Sequence, residues 1–294
     1  MSLSPPVDGR LAVAKTFKLY LGGAFPRSES GRSYPVRDVS GRLMAHAALA
    51  SRKDVRDAVS AARSAFGGWS GATAYNRGQV LYRVAEMMQA RDAQFVDDVV
   101  AAEGVPRRKA GALVDAAIDR WVWYAGWTDK IASVLGSVNP VAGPLVNWST
   151  PEPAGVVAVL APQRSSLLGL VDLLAPVLAT GCTAVVVAAR ERPLPAVALG
   201  EVLATSDVPG GVVNILTGDS AELAPWLAAH GEVAGIDLAG VPEEIATECE
   251  RAAAGTLKRV LPRPAVEPDH SAVPSLARLR AWTETKTVWH PVGR

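Results

Sequence analysis

The side chains best suited to covalent chemistry in this 294-residue sequence are its two cysteines, Cys182 and Cys249. A cysteine thiolate can attack a carbonyl carbon or bind a metal ion. The two residues have no metal-ligand spacing, and two cysteines cannot form a disulfide framework. Cys182 precedes an apolar run and Cys249 lies in a predicted helix, so we expect two buried or incidental thiols and no metal site.

The segments around these cysteines predict a doubly wound α/β core. Short apolar runs, several of them rich in valine, alternate with helical patterns. The runs cover residues 154–161, 183–189 and 211–216, and two further strands are predicted at 234–239 and 256–261. Strands that are apolar on both faces are typical of a parallel sheet with helices on each side. We therefore predict a parallel sheet of about five strands, built like a nucleotide-binding domain.

The remaining sequence predicts a cover, an arm and a linker. Amphipathic patterns predict an N-terminal helical cover, with one long aromatic-rich helix over 107–133. Residues 135–149 have no helical period and indicate an extended arm, and four prolines in the thirteen residues 262–274 indicate a linker. The predicted organisation is a flexible tail (1–16), a nucleotide-binding-like domain (17–134 and 150–261), an arm (135–149 and 283–294) and a Pro-rich linker with a short helix (262–282).

Composition and charge exclude several classes of function. The formal net charge is +1 and no basic run is interleaved with aromatic residues, so we expect no nucleic-acid partner. Charged or helix-breaking residues interrupt every long apolar stretch, so we expect no membrane span. The N-terminus has no signal-peptide pattern, and the expected location is therefore the cytoplasm.

A series of strings resembles the aldehyde dehydrogenase superfamily. The strings are LYLGGAF, DVRDAVSAARSAFGGW, AAEGVP, EPAGVVAVLAP, LLAPVLATGCTAVV, VPGGVVNILTGD, TLKRV and, near the C-terminus, WTETKTVW. They follow the family order over most of residues 17–261 and again over the last dozen residues. The resemblance implies a Rossmann-like NAD-binding domain with a projecting oligomerisation arm, in a family whose activity is NAD(P)-dependent aldehyde oxidation.

The resemblance also implies that a catalytic domain is missing from its usual place. In the family that domain lies between the strands matching residues 257–261 and 283–289, where this sequence has only the Pro-rich linker. Aldehyde oxidation of this type needs a thiolate, donors for an oxyanion and a general base. Cys182 stands at the Asn of the family's GNT turn, and the general-base position falls at about Arg263. We therefore predict no catalytic residue and no independent activity.

Five positions match cofactor-binding positions of the family. At three of them the residue differs from that of the family, and at the other two a glycine is kept. Arg164 stands where an Asn donates to the oxyanion. Val187 and Arg190 stand where a Lys and a Glu hold the adenosine ribose, and valine cannot hydrogen-bond a hydroxyl. Gly218 is expected near the crevice, and Gly240 begins the turn that approaches the pyrophosphate. We interpret all five as degenerate cofactor positions.

The rest of the pyrophosphate turn also departs from the family. Its second glycine is Ile245, and Glu243 and Glu244 place negative charge where phosphate would sit. We therefore expect no bound cofactor. The alternative is that Arg164 and Arg190 receive the extra phosphate of NADP or another anion, in a protein that still binds NAD(P) or another nucleotide.

The arm is the part of the resemblance that this sequence retains. In the family the arm is the oligomerisation element and docks on the catalytic domain of a neighbouring subunit, and an unpaired strand edge is a liability in a free monomer. The residues expected at the interface are Val146, Trp148, Thr285, Thr287, Val288 and Trp289. Our hypothesis is a structural or regulatory subunit that joins a full-length aldehyde dehydrogenase in a hetero-oligomer, and self-association is the alternative.

Overall fold

The computed structural model describes residues 13–292, so most of the predicted tail (1–12) and the end of the predicted arm (293–294) lie outside the described residues. The helices are α1 (Arg52–Gly71), α2 (Ala74–Gln89), α3 (Asp92–Glu103), α4 (Arg107–Ala125), α5 (Ile131–Leu135), α6 (Leu168–Ala179), α7 (Leu194–Leu203), α8 (Ser220–Ala229), α9 (Glu243–Ala254) and α10 (Ala277–Ala281). The strands are β1 (Thr16–Phe17), β2 (Ser33–Arg37), β3 (Leu43–Ala48), β4 (Ser137–Asn139), β5 (Leu145–Pro153), β6 (Val156–Leu160), β7 (Thr183–Val187), β8 (Val213–Leu216), β9 (Val233–Asp237), β10 (Arg259–Leu261) and β11 (Thr283–Pro291).

The centre of the molecule is a five-stranded parallel sheet in the order β10-β9-β6-β7-β8. This confirms the predicted doubly wound α/β fold. The chain builds outward from β6 through β7 to β8, and then returns to place β9 on the other side of β6. Since strand order reverses between β6 and β9, that junction is the topological switch point, where a crevice opens at the carboxyl ends of the strands.

Helices cover both faces of the sheet and bury its alternating side chains. On one face, Val157 and Val159 of β6 pack in a cluster with α2, α4, α6 and α7. On the other face, Ala158 and Leu160 pack in a cluster with α1, α8 and α9. Every residue of β6, β7 and β8 is buried, which explains why these strands read as continuous apolar runs.

The N-terminal cover contains α1 to α5. Ser51 caps α1 in a capping box, with Asp54 accepting a hydrogen bond from the Ser51 amide at 2.8 Å. The prediction of one helix over 107–133 is wrong, because the chain turns after Ala125 before α5 begins. This turn packs Trp127 against Trp123 with ring centroids 5.4 Å apart, a tertiary contact that a helical pattern does not reveal.

Residues of the predicted arm form a separate antiparallel sheet in the order β11-β5-β4. β11 pairs with β5 over nine residue pairs, from Thr283 opposite Pro153 to Pro291 opposite Leu145. Val146 and Trp148 lie on the central strand. Trp148 has paired residues on both sides, Val138 and Val288, whereas Val146 is paired only with His290. Among the described residues the open edges of this sheet therefore belong to β4 and β11.

The predicted linker packs on the rest of the molecule through α10. Leu279 and Trp282 are buried there, and the absence of a side chain at Gly235 makes room for the Trp282 indole, since a Cβ would lie 2.6 Å from it. No helix within residues 13–292 is long and apolar enough to cross a bilayer.

Candidate functional site

The candidate site is the crevice at the carboxyl ends of the central strands. It has a volume of about 620 Å³ and is lined by the segments that follow all five strands, including residues 263–267 of the predicted linker. Its place at the switch point is where α/β proteins of this topology bind ligands.

Gln163 lies in the crevice and forms hydrogen bonds to the loops that follow three strands, β6, β7 and β9. Its side-chain amide donates to the carbonyl of Ala161 at 2.9 Å and to that of Gly240 at 3.3 Å. Its side-chain oxygen accepts from the backbone amide of Arg190 at 3.2 Å. The hydroxyl of Ser220 also donates to the Gly240 carbonyl, at 3.1 Å. These bonds hold the loops after β6, β7, β8 and β9 together without a ligand.

Two arginines of the crevice have acidic partners inside the chain. The Arg190 guanidinium is hydrogen-bonded to the Asp219 carboxylate. Arg263 lies 3.6 Å from Glu243, measured from Nη1 to Oε2. Two arginines of the crevice therefore already have carboxylate partners within the chain, while the Arg164 side chain is exposed.

Two carboxylates of the chain accept hydrogen bonds from the backbone amides just before α6. Glu267 accepts from the amide of Ser165 at 2.8 Å and from that of Arg164 at 3.2 Å. Glu103 accepts from the amide and the hydroxyl of Ser166 at 2.8 and 2.7 Å. The helix start that resembles the family's oxyanion turn thus has its amides bonded to the protein's own side chains.

The structure brings together three of the five predicted cofactor positions. Arg164, Arg190 and Gly240 line the crevice. Val187 does not, because its side chain is fully buried in the core. Gly218 does not line the crevice but directly precedes Asp219, which does. Its φ is +152°, and a Cβ there would lie 3.4 Å from Leu223 Cδ1.

Both cysteines lie in the core of the described residues. Burial raises the pKa of the Cys182 thiol. Burial, with Glu248 and Glu250 nearby, raises the pKa of the Cys249 thiol to about 11. Both thiols are therefore protonated near neutral pH, and neither residue lines the crevice. The arrangement offers no thiolate for aldehyde chemistry.

The predicted interface residues spread over both faces of the arm sheet. Trp289 is 61% exposed and Val146 39% exposed, while Trp148 and Val288 are half-buried opposite each other. Thr285 and Thr287 are exposed on β11. The hydroxyl of Thr287 lies 2.9 Å from that of Ser149, so this contact holds β11 to β5 within the chain.

Sequence reasoning missed Gln163 and Glu267 as residues that organise the crevice. Gln163 is part of the string PQRSS, where the family has PWNFP. Its role could not be predicted, because its hydrogen-bonding partners lie on loops that meet only in the folded chain. Glu267 lies in the Pro-rich segment and gave no local signal, because the amides it accepts from are about one hundred residues earlier.

Comparison with known proteins gives one consistent group of matches. The profile described as "Aldehyde dehydrogenase family" matches residues 26–262. The (Z)-2-((N-methylformamido)methylene)-5-hydroxybutyrolactone dehydrogenase of Acinetobacter baylyi is 34% identical over 77% of this chain and 46% of its own length. The mitochondrial benzaldehyde dehydrogenase of Antirrhinum majus is 30% identical over 88% of this chain and 48% of its own length. The chain spans about half the length of these relatives.

A solved structure agrees with these matches. An NAD+ complex of aldehyde dehydrogenase from Bacillus cereus superposes with a TM-score of 0.78 at 25% identity, covering 83% of this chain and 50% of the other. The likeness therefore extends over most of this chain and over half of the solved protein.

Proposed function

Because this chain belongs to the aldehyde dehydrogenase family, we propose that it is a catalytically inactive member that acts as a structural or regulatory partner of an active aldehyde dehydrogenase. The observation that carries the proposal lies between β10 and β11. In place of a unit bearing a cysteine nucleophile, the described residues there form a packed Pro-rich segment and α10, after which β11 pairs fully with β5.

The state of the thiols supports an inactive subunit. The family reaction as implied by the resemblance begins with attack of a thiolate on the aldehyde carbon. Both cysteines of this chain are buried with raised pKa values, and they lie outside the crevice. We expect the purified chain to produce no NADH from NAD and aldehydes.

The arm sheet supports the partnership. β11 has an outer edge without a paired strand among the described residues, and it carries an exposed tryptophan, Trp289. An open strand edge with apolar side chains favours pairing with another chain. In this proposal the edge and face of β11 bind the active subunit.

The partnership is tested by co-expression with a full-length aldehyde dehydrogenase of the same organism and size-exclusion chromatography. We expect a joint peak that is lost in Trp289→Ser and kept in Tyr75→Ser, which removes an equally exposed aromatic ring (69% exposed) on α2. If the two proteins elute separately at micromolar concentration, the partnership is wrong.

The crevice supports a second candidate, a nucleotide-binding protein without dehydrogenase activity. Its volume of about 620 Å³ is sufficient for a nucleotide, and Arg164 extends beside it without an acidic partner among the described contacts. The neutralised Arg190 and the bonded amides ahead of α6 weigh against this candidate. Calorimetric titration with NAD, NADP and ATP separates the two, since we expect no binding heat at millimolar ligand.

A further inference from the structure

Residues 263–272, called the strap below, have no regular secondary structure, and residues 263–267 of this segment line one side of the crevice. Such a segment is expected to be loosely held unless specific groups bind it. At its first attachment, Glu267 of the strap accepts hydrogen bonds from two consecutive amides, those of Arg164 and Ser165. Charge-assisted bonds of this kind are about twice as strong as neutral ones.

A second attachment lies at the other end of the strap. His270 is buried, and its Nδ1 lies 3.0 Å from Oδ2 of Asp172 on α6. Arg120 of α4 lies 2.9 Å from the other Asp172 oxygen. The same guanidinium donates to the strap carbonyls of His270 at 2.6 Å and Ala272 at 2.9 Å.

The helix under the strap is shaped to receive it. A Cβ at Gly169 of α6 would lie 3.1 Å from Cδ2 of His270 and 2.9 Å from Cβ of Ser165. The missing side chain thus lets the imidazole pack directly on the helix. Arg120 is itself buried. If the strap left, the Arg120 guanidinium would lose its hydrogen bonds to the carbonyls of His270 and Ala272 at a site that water reaches poorly, which is unfavourable.

We propose that the docked strap is a closure of one side of the crevice, latched by Glu267 at the amides of residues 164 and 165 and by His270 over α6, which keeps these amides from an anionic ligand. While it is docked, a carboxylate of the chain occupies the amides of residues 164 and 165, and residues 263–267 form one wall of the crevice. The closure acts within a single chain and is independent of the proposed partner and of the arm.

The closure is tested by amide hydrogen exchange in the full chain, followed by mass spectrometry of a peptide that contains residues 164 and 165. In Glu267→Ala we expect these amides to exchange roughly 10- to 100-fold faster, from the loss of charged hydrogen bonds. Glu191→Ala is the matched control, because it removes another crevice carboxylate that accepts nothing from these amides.

A second variant tests whether the strap opens as one unit. His270→Ala touches neither amide, yet we expect roughly fivefold or greater acceleration at residues 164 and 165, because the strap opens cooperatively. Val266→Ala, in the strap but 79% exposed, is expected to exchange like the unaltered chain. Exchange in His270→Ala within twofold of the unaltered chain would overturn the proposal.

Proteolysis of the unaltered chain gives a result that does not depend on how the variants fold. A docked strap resists a protease of broad specificity, whereas an open segment is cut at its exposed residues. In the unaltered chain we expect no early cut within 263–272, whereas Glu267→Ala or His270→Ala should allow early cuts there. Rapid cutting of the strap in the unaltered chain, with the sheet intact, would contradict the closure directly.

Discussion

Gly240 connects the two strands on either side of the switch point. Its amide donates to the carbonyl of Leu160 at 2.9 Å, and a Cβ at this position would lie 1.8 Å from the carbonyl oxygen of Ala161. Such a distance is far inside van der Waals contact, so only glycine allows the backbones to approach so closely. Packing alone therefore accounts for the presence of glycine here, whether or not a phosphate ever binds.

Substitution of Gly240 tests this role. Gly240→Ala forces the β9 loop away from β6, and we expect a loss of about 3 kcal/mol in the free energy of unfolding. Gly111→Ala on α4 is the matched control, because a Cβ there meets nothing within 4 Å. It should stabilise the chain by about 0.5–1 kcal/mol. Urea unfolding followed by circular dichroism measures both, and an unchanged midpoint for Gly240→Ala would contradict the packing role.

At the residue scale, the sequence predicts which positions have changed but not where their side chains go. The resemblance placed Val187 among cofactor positions, whereas β7 turns this side chain into the core. Arg190 does reach the crevice, but its pairing with Asp219 depends on two loops that meet only at the end of the sheet. Such pairings are tertiary and leave no local pattern.

At the element scale, α10 takes part in the core although it is short and follows a Pro-rich segment. Asp237, the last residue of β9, is buried, and Arg278 of α10 donates to its carboxylate at 2.5 Å. The amide of Ala239 donates to the other carboxylate oxygen at 3.1 Å. This ion pair fixes α10 across the sheet and places Trp282 where β11 begins.

Substitution of Arg278 tests this attachment, and the resulting loss of stability is expected to depend on pH. Burial raises the pKa of the Asp237 carboxyl, and Arg278 opposes that rise. In Arg278→Met the carboxylate loses its counter-charge, its pKa rises further, and we expect about 3 kcal/mol less stability near pH 8.

The sign of the pH effect follows from proton linkage. When the pKa of a carboxyl is higher in the folded state than in the unfolded chain, the folded state binds the proton more tightly. The free energy of unfolding therefore falls as the pH rises above the pKa of the unfolded chain. The deficit of Arg278→Met should therefore shrink when urea unfolding is measured near pH 5. Arg280→Met, at an exposed position of α10, is the control. A deficit that is the same at both pH values would contradict the ion pair.

The strands β6, β7 and β8 were predictable because each is buried on both faces, and all five strands of the central sheet lie within a few residues of the predicted segments. The contacts of the Pro-rich segment were not predictable. His270 meets a donor 150 residues away, and a run of prolines by itself indicates only a linker. The central position of β5 in the arm sheet was missed for the same reason, since pairing order is set by the fold.

At the scale of the whole molecule, this member of the aldehyde dehydrogenase family combines a doubly wound sheet, a crevice bonded internally and a separate three-stranded sheet. The matched part of the chain spans about half the length of its relatives. The strap and α10 cover surfaces of α6 and β9, so the described residues 13–292 form a packed unit. The exposed edge and the tryptophan of β11 remain, and in our proposal they are the surface through which the chain acts.

The most direct test of this account is native mass spectrometry of the chain purified from its own cells. We expect a complex whose mass includes a larger, cysteine-bearing aldehyde dehydrogenase, in a fixed ratio to this chain and without bound dinucleotide on it. A lone monomer or a homodimer under the same conditions would contradict the partnership, and a mass increment of one dinucleotide on the free chain would favour the nucleotide-binding alternative.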